Sequence, residues 1–267
     1  MKYCRFQGPE GPQFAAVEDR GGELWATGLL ASPWLAESHA VNISLPFFNA
    51  KPLRELSVLP PVSPSKILCV GRNYRDHAKE LGNDVPAEPL LFFKPPSSLL
   101  APGGTIRMPK QSERVDFEGE LAVVIGRQAR RLKQSDDLKP YIHGFTLAND
   151  VTARDLQKKD GQWARAKGFD TFCPVGPIVN TEIDLNEGLI IETHVNGELR
   201  QHGSTADFIF TLPVLLEYIT AAITLEPGDL LLTGTPAGVG PLQAGDIVEV
   251  SIPGLGRLSN PVQASED

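Results

Sequence analysis

The stretch RVDFEGELAVVIG (114–126) places Asp116, Glu118 and Glu120 two residues apart, leading into an apolar run. In a continuous strand that spacing turns all three carboxylates to one face. Like charges so close repel, and a buried carboxylate without a partner takes up a proton or costs several kcal/mol. Two environments resolve the conflict: solvent at a strand mouth, or a cation between the side chains. A further acid, Asp150, closes the apolar segment GFTLAND. It reads either as a cap for the following VTARDLQ or as a third oxygen ligand beside Glu118 and Glu120. Three such oxygens from two strand ends suit Mg²⁺ or Mn²⁺, with the remaining positions open to water or substrate. No Cys/His cluster accompanies them, which argues against structural zinc.

His77 and Glu80 are three residues apart in NYRDHAKELG, a helical segment, and so share a face. They form either an exposed surface pair or an imidazole oriented by a carboxylate, the arrangement of a general base. Lys167 lies in QWARAKGFDTFCP, and Arg154 and Gln157 lie just upstream. Arg154 and Gln157 could meet an anionic substrate or stay solvated. TGTPAGVG (233–240) lacks the Lys-Ser/Thr of a phosphate loop, and no long helix follows it. Its small residues would instead let backbone amides and the Thr235 hydroxyl approach a small carboxylate.

Strands must position these groups. KILCVG (66–71), LLFFK (90–94), the apolar half of 114–126 and YIHGFTLAND (141–150) read as strands. Asn73 is the expected N-cap of the 73–82 helix and Gly82 its stop. Asn196-Gly197 predicts a type I′ turn in the hairpin 190–201. Leu212, Leu215, Leu216, Ile219 and Ile223 form one helical stripe. DLLLTGTPAGVG (229–240) and 246–262 return to strand after Gly-Asp turns. Short strand-like pieces before residue 60 and the Pro-rich LPPVSPSK (59–66) predict a small β-rich N-terminal domain, residues 1–60, followed by a main domain, residues 65–264. Few helices and many Gly/Pro turns favour a mixed, mainly antiparallel β-fold.

The bulk composition narrows the partners. A chain of 267 residues, 41% hydrophobic and 22% charged, can bury a large core. A net charge of −8 leaves no basic footprint for nucleic acid or an anionic membrane. Three dispersed cysteines make no disulfide framework, and no run reaches membrane-spanning length. The expected compartment is a reducing cytoplasm.

Taken in order, CVGRNYRDHAKE, LLFFKPPSSL, VDFEGELAVVIG, GFTLANDVTARDLQ, WARAKGFDTFCPVGP, VNGELRQ and LLTGTPAGVGPL resemble the fumarylacetoacetate hydrolase superfamily. The resemblance spans about residues 65–262 and is closest to its compact bacterial and acylpyruvase-like members. It implies a mixed β-sandwich roll, usually in a homodimer. It implies Mg²⁺ or Mn²⁺ on Glu118, Glu120 and Asp150, with His77, Glu80 and Lys167 as catalytic groups. The His77 segment would order as a lid over ligand. Arg154, Gln157 and Thr235 would anchor substrate, and Arg72, beside the lid, is a further candidate. Asp116, which opens the acidic run, is expected in solvent.

The activity implied is divalent-metal-dependent chemistry on small 2-oxo or 2,4-dioxo acids, with C–C hydrolysis of an acylpyruvate placed first. Oxaloacetate decarboxylation or tautomerisation and hydroxymuconate-type isomerisation or decarboxylation form the alternative. A non-catalytic metabolite-binding protein is the remote one, disfavoured because His77, Glu80 and Lys167 are all present.

Overall fold

The computed structural model describes residues 1–33 and 48–265; part of the expected N-terminal domain, residues 34–47, lies outside these. The described chain is mostly β with few helices. Its largest sheet has twelve strands. At its centre Gly119–Ile125 lies between Ile142–Asn149 and Leu230–Leu232, followed outward by Ile67–Gly71 and Leu90–Lys94. On the other side Cys173–Asn180 pairs with Lys2–Gly8, through Lys2↔Asn180 and Tyr3↔Val179. The N-terminal strands therefore continue the same sheet.

The central strand is apolar on both faces because both are covered. Leu121, Val123 and Ile125 pack with the helix Leu212–Ala222 and with Val250, Ile252 and Leu258 of a second, five-stranded sheet. Ala122 and Val124 point the other way, against Ile67, Cys69, Cys173 and Val175. The helix buries Leu212, Leu215, Leu216 and Ile219, as its periodicity predicts. The hairpin Ile190–Val195 and Glu198–Ser204 turns at Asn196 (φ 53) and Gly197 (φ 82), the left-handed pair that a type I′ turn requires.

Two local expectations are corrected. Asn73 does not cap the helix that follows it, which spans Arg75–Glu80. Its side chain instead donates to the Phe210 and Thr233 carbonyls at 3.2 and 2.8 Å and accepts the Phe210 N–H at 2.8 Å. The acidic run is also not one strand. Val115–Phe117 belongs to a separate three-stranded sheet, where Asp116 faces Thr152 and Pro241, and the large sheet begins at Gly119. Asp116 is consequently not in solvent. It is fully buried, held by Arg114 at 2.8 and 3.1 Å and by Arg154 at 2.9 Å.

Candidate active site

Glu118 occupies the one-residue gap between the two strands, where the chain passes from one sheet to the other. Its N–H donates to the Asn149 side chain at 2.9 Å, and its carbonyl accepts the Asp150 N–H at 2.8 Å. The antiparallel register Gly119↔Asn149 and Glu120↔Ala148 sets Glu118 and Glu120 at the same sheet end as Asp150. Gly119 has to be glycine, since a Cβ there would run into the Thr193 hydroxyl and sit 3.2 Å from Val250. Ligand oxygens of Glu118, Glu120 and Asp150 consequently lie within 4.8 Å of one another, all three side chains buried.

Three buried cations hold this cluster. Lys167 Nζ donates to Glu118 at 2.8 Å and to Asp150 at 2.5 Å. Lys94 Nζ donates to the other Asp150 oxygen at 2.6 Å and to the Val151 carbonyl at 3.2 Å. Arg154 reaches Glu118 at 2.5 Å as well as Asp116, and donates to Gln157 at 2.7 Å. Burial alone would push the Glu118 carboxyl up, but Lys167 and then Arg154 overcome it and hold it well below the usual range. Burial likewise opposes charge on Lys167, and Asp150 and Glu118 more than offset that.

Glu120 differs. It makes no ion pair among the described residues and accepts the Gly234 N–H at 2.7 Å. Burial, then the Asp150 and Glu118 charges, push its carboxyl well above the carboxylate range. A buried acid short of positive charge, beside two others, is what a divalent cation would complete. Each carboxylate oxygen already paired to a lysine or arginine keeps a second lone pair for such an ion. The donor set fits Mg²⁺ or Mn²⁺.

The triad opens on a cavity of about 450 Å³ that is also lined by Arg72, His77, Glu80, Arg154, Gln157, Lys167 and Thr235. Every site residue expected from the sequence is thus brought to one place. His77 is 4% exposed, and burial lowers its pKa, which keeps the imidazole neutral and able to take a proton. Its buried Nδ1 lies 3.5 Å from Glu80 without a hydrogen bond. Glu80 accepts the Gly238 N–H at 3.1 and 3.2 Å, tying the helix Arg75–Glu80 to the 233–240 loop.

Two of that loop's amides are already committed within the protein. Its Gly234 and Gly238 amides serve the protein's own Glu120 and Glu80. Thr235 donates to the Gly119 carbonyl at 2.8 Å and accepts from Gln201 at 2.8 Å, so it supports the Glu-Gly-Glu turn from within the cavity wall. The sequence reading also missed Lys94 and Gln201. Lys94 did carry a signal, a lysine ending the apolar strand LLFFK much as Asp150 ends GFTLAND. Gln201 carried none.

A mostly β fold with this acid triad, lysine and His–Glu pair defines a fumarylacetoacetate hydrolase-type protein. A family model, the fumarylacetoacetate (FAA) hydrolase C-terminal domain, matches residues 66–263, and the chain belongs to that family. Protein Rv2993c of Mycobacterium tuberculosis is 42% identical over 266 residues, 98% of each chain. The oxaloacetate tautomerase YisK of Bacillus subtilis is 42% identical over 224 residues, covering 79% of this chain and 74% of that one. The crystal structure of 2-hydroxyhepta-2,4-diene-1,7-dioate isomerase from Mycobacterium marinum superposes with a TM-score of 0.87 at 40% identity over the whole of both chains. Family members are enzymes, and they commonly bind divalent metal ions.

Proposed function

We propose that this protein is a Mg²⁺- or Mn²⁺-dependent isomerase that interconverts keto and enol forms of a small 2-oxo acid. The observation that carries the reading is the convergence of Glu118, Glu120 and Asp150 beside a buried, neutral His77 in one cavity. The resemblance alone put C–C hydrolysis first. The relatives named for their activity, a tautomerase and a double-bond isomerase, support the alternative better.

A divalent ion held by Glu118, Glu120 and Asp150 would act as a Lewis acid, favouring negative charge on a 2-oxo oxygen nearby. The chain's own residues supply the proton chemistry. As the C3–H bond of the keto acid breaks, the proton passes to His77 Nε2 and the electron pair shifts to the 2-oxo oxygen. That oxygen then gains a proton from the imidazolium or solvent, and the reverse sequence converts enol to keto. Glu80, close to Nδ1 and anchored on Gly238, keeps the ring aimed into the cavity. Lys167 fixes Glu118 and Asp150 relative to one another, which presets the site.

The test is enol oxaloacetate, monitored by ultraviolet absorbance, with Mg²⁺, Mn²⁺ or EDTA. Metal-dependent ketonisation ahead of pyruvate release is the expected result. Faster splitting of an acylpyruvate into pyruvate and a carboxylic acid would overturn the reading in favour of hydrolysis.

A further inference from the structure

Five cationic side chains line the cavity, and three are committed to the protein's own acids: Arg114 to Asp116, Arg154 to Asp116 and Glu118, and Lys167 to Glu118 and Asp150. The other two, Arg72 and Lys158, make no side-chain hydrogen bond or ion pair among the described residues. We propose that Arg72 and Lys158 form a subsite for the distal carboxylate of a dicarboxylic 2-oxo acid. This rests on the proposed function, which places the 2-oxo end of the substrate at the acid triad.

The backbone holds both cations in place. Lys158 lies one turn beyond Arg154 on the helix Arg154–Asp160, so it extends the same cavity-facing stripe outward from the triad. Arg72 adopts φ 56, the left-handed region that a side-chain-bearing residue enters at a cost. Its neighbours are themselves fixed. A Cβ at Gly71 would lie 3.0 Å from Trp163 and 3.2 Å from Leu90, and Asn73 is pinned by its bonds to Phe210 and Thr233. With the backbone held on both sides, the Arg72 side chain starts from a fixed point on the cavity wall.

Charge bookkeeping points the same way. At the triad end the surplus is negative, centred on Glu120, and calls for a metal ion. Arg72 and Lys158 add positive charge to the same cavity that is paired to no acid among the described residues. A substrate with one carboxylate, held at the triad, would leave that charge unsatisfied, whereas a second carboxylate completes it. Phe92 and Trp163, packed edge to face with centroids 5.2 Å apart, also line the cavity and give an apolar wall for the carbon chain joining the two ends.

The experiment compares ligands matched in length that differ only in the distal carboxylate. Binding of 2-oxoglutarate and 2-oxopentanoate to the Mg²⁺-loaded protein is measured by calorimetry, for wild type, Lys158→Gln, Arg72→Gln and the double variant. The wild-type preference for the diacid should be about tenfold or more, the scale of one charge-assisted hydrogen bond. It should shrink with added salt, because Lys158 is exposed. In the double variant the ratio should collapse towards one, and Arg72→Lys should restore part of it. No preference in wild type, or an undiminished ratio in the double variant, overturns the subsite. If Arg72 variants fail to fold, an unchanged ratio in folded Lys158→Gln overturns it equally. A collapsing ratio in a protein whose wild type does not tautomerise oxaloacetate would sink the proposed function and leave the subsite standing.

Discussion

Replacing Glu120 with glutamine should change sign according to whether metal is present. The amide keeps the shape and an oxygen for the Gly234 N–H, and removes the one triad charge that no cation faces. Two unit charges at the 4.8 Å limit of the triad interact by about 3 kcal/mol at an effective dielectric of about 20. Lys94, Lys167 and Arg154 offset much of that, leaving about 1–3 kcal/mol, the range for a buried group short of a partner. In EDTA, Glu120→Gln should therefore raise Tm, by about 2–4 °C per kcal/mol for a chain of this size. The gain should depend on pH. The folded carboxyl titrates well above the unfolded value of about 4.3. Above that value the native state keeps a proton that the unfolded state has lost, so wild-type stability falls as pH rises, by up to about 1.4 kcal/mol per unit. The fall ends once the raised native pKa is passed. Glutamine carries no such term, so its advantage should widen with pH across that window. With Mg²⁺ the order reverses: wild type gains about 2.7 kcal/mol at a hundredfold excess over Kd, and the variant, lacking one ligand, gains less. Thermal and urea unfolding at several pH values, in EDTA and in Mg²⁺, read all of this. Equal metal-induced stabilisation of both proteins, or a destabilised variant in EDTA, would refute the reasoning.

His77→Ala should slow C3 proton exchange by roughly 10²–10⁴, the range for a lost general base, while Mg²⁺ still raises Tm. Near wild-type exchange would remove His77 from the chemistry. Lys94→Met leaves a buried Asp150 oxygen without its partner and should cost about 3–5 kcal/mol by urea unfolding, so a loss under about 1 kcal/mol would show that Lys167 alone suffices. Cys4, Cys69 and Cys173 are buried, and burial pushes the Cys4 and Cys173 thiols up to about 12. A thiol reagent should label them only as the protein unfolds, and fast labelling of the native state would contradict this burial.

Much of the site was legible because its residues announce themselves locally. Glu118, Glu120 and Asp150 are acids at the ends of apolar strands, where burial and charge conflict. His77 and Glu80 share a helical face by spacing alone. The ordered motifs then carried the family, since each block fixes residue types over a short stretch. The central strand, the 196–197 turn and the Leu212–Ala222 helix were equally local matters of periodicity and turn chemistry.

Asp116 shows where local reading fails. Spacing of two implies one face only along an unbroken strand, and the chain changes sheets at Glu118. The acid is paired by Arg114, two residues away, and also by Arg154, which is 38 residues away in sequence and a neighbour only after folding. The same holds for the Gly234 and Gly238 amides, which go to Glu120 and Glu80. Lys94 and Gln201 reach the site from distant strands, and Arg72 and Lys158 stand out only once the other cations lining the cavity are seen to be paired. Sequence determined which groups could do chemistry, because residue type and local period are written along the chain. Tertiary structure alone decided which of their charges are already neutralised, because that depends on distances between segments that the linear order does not contain.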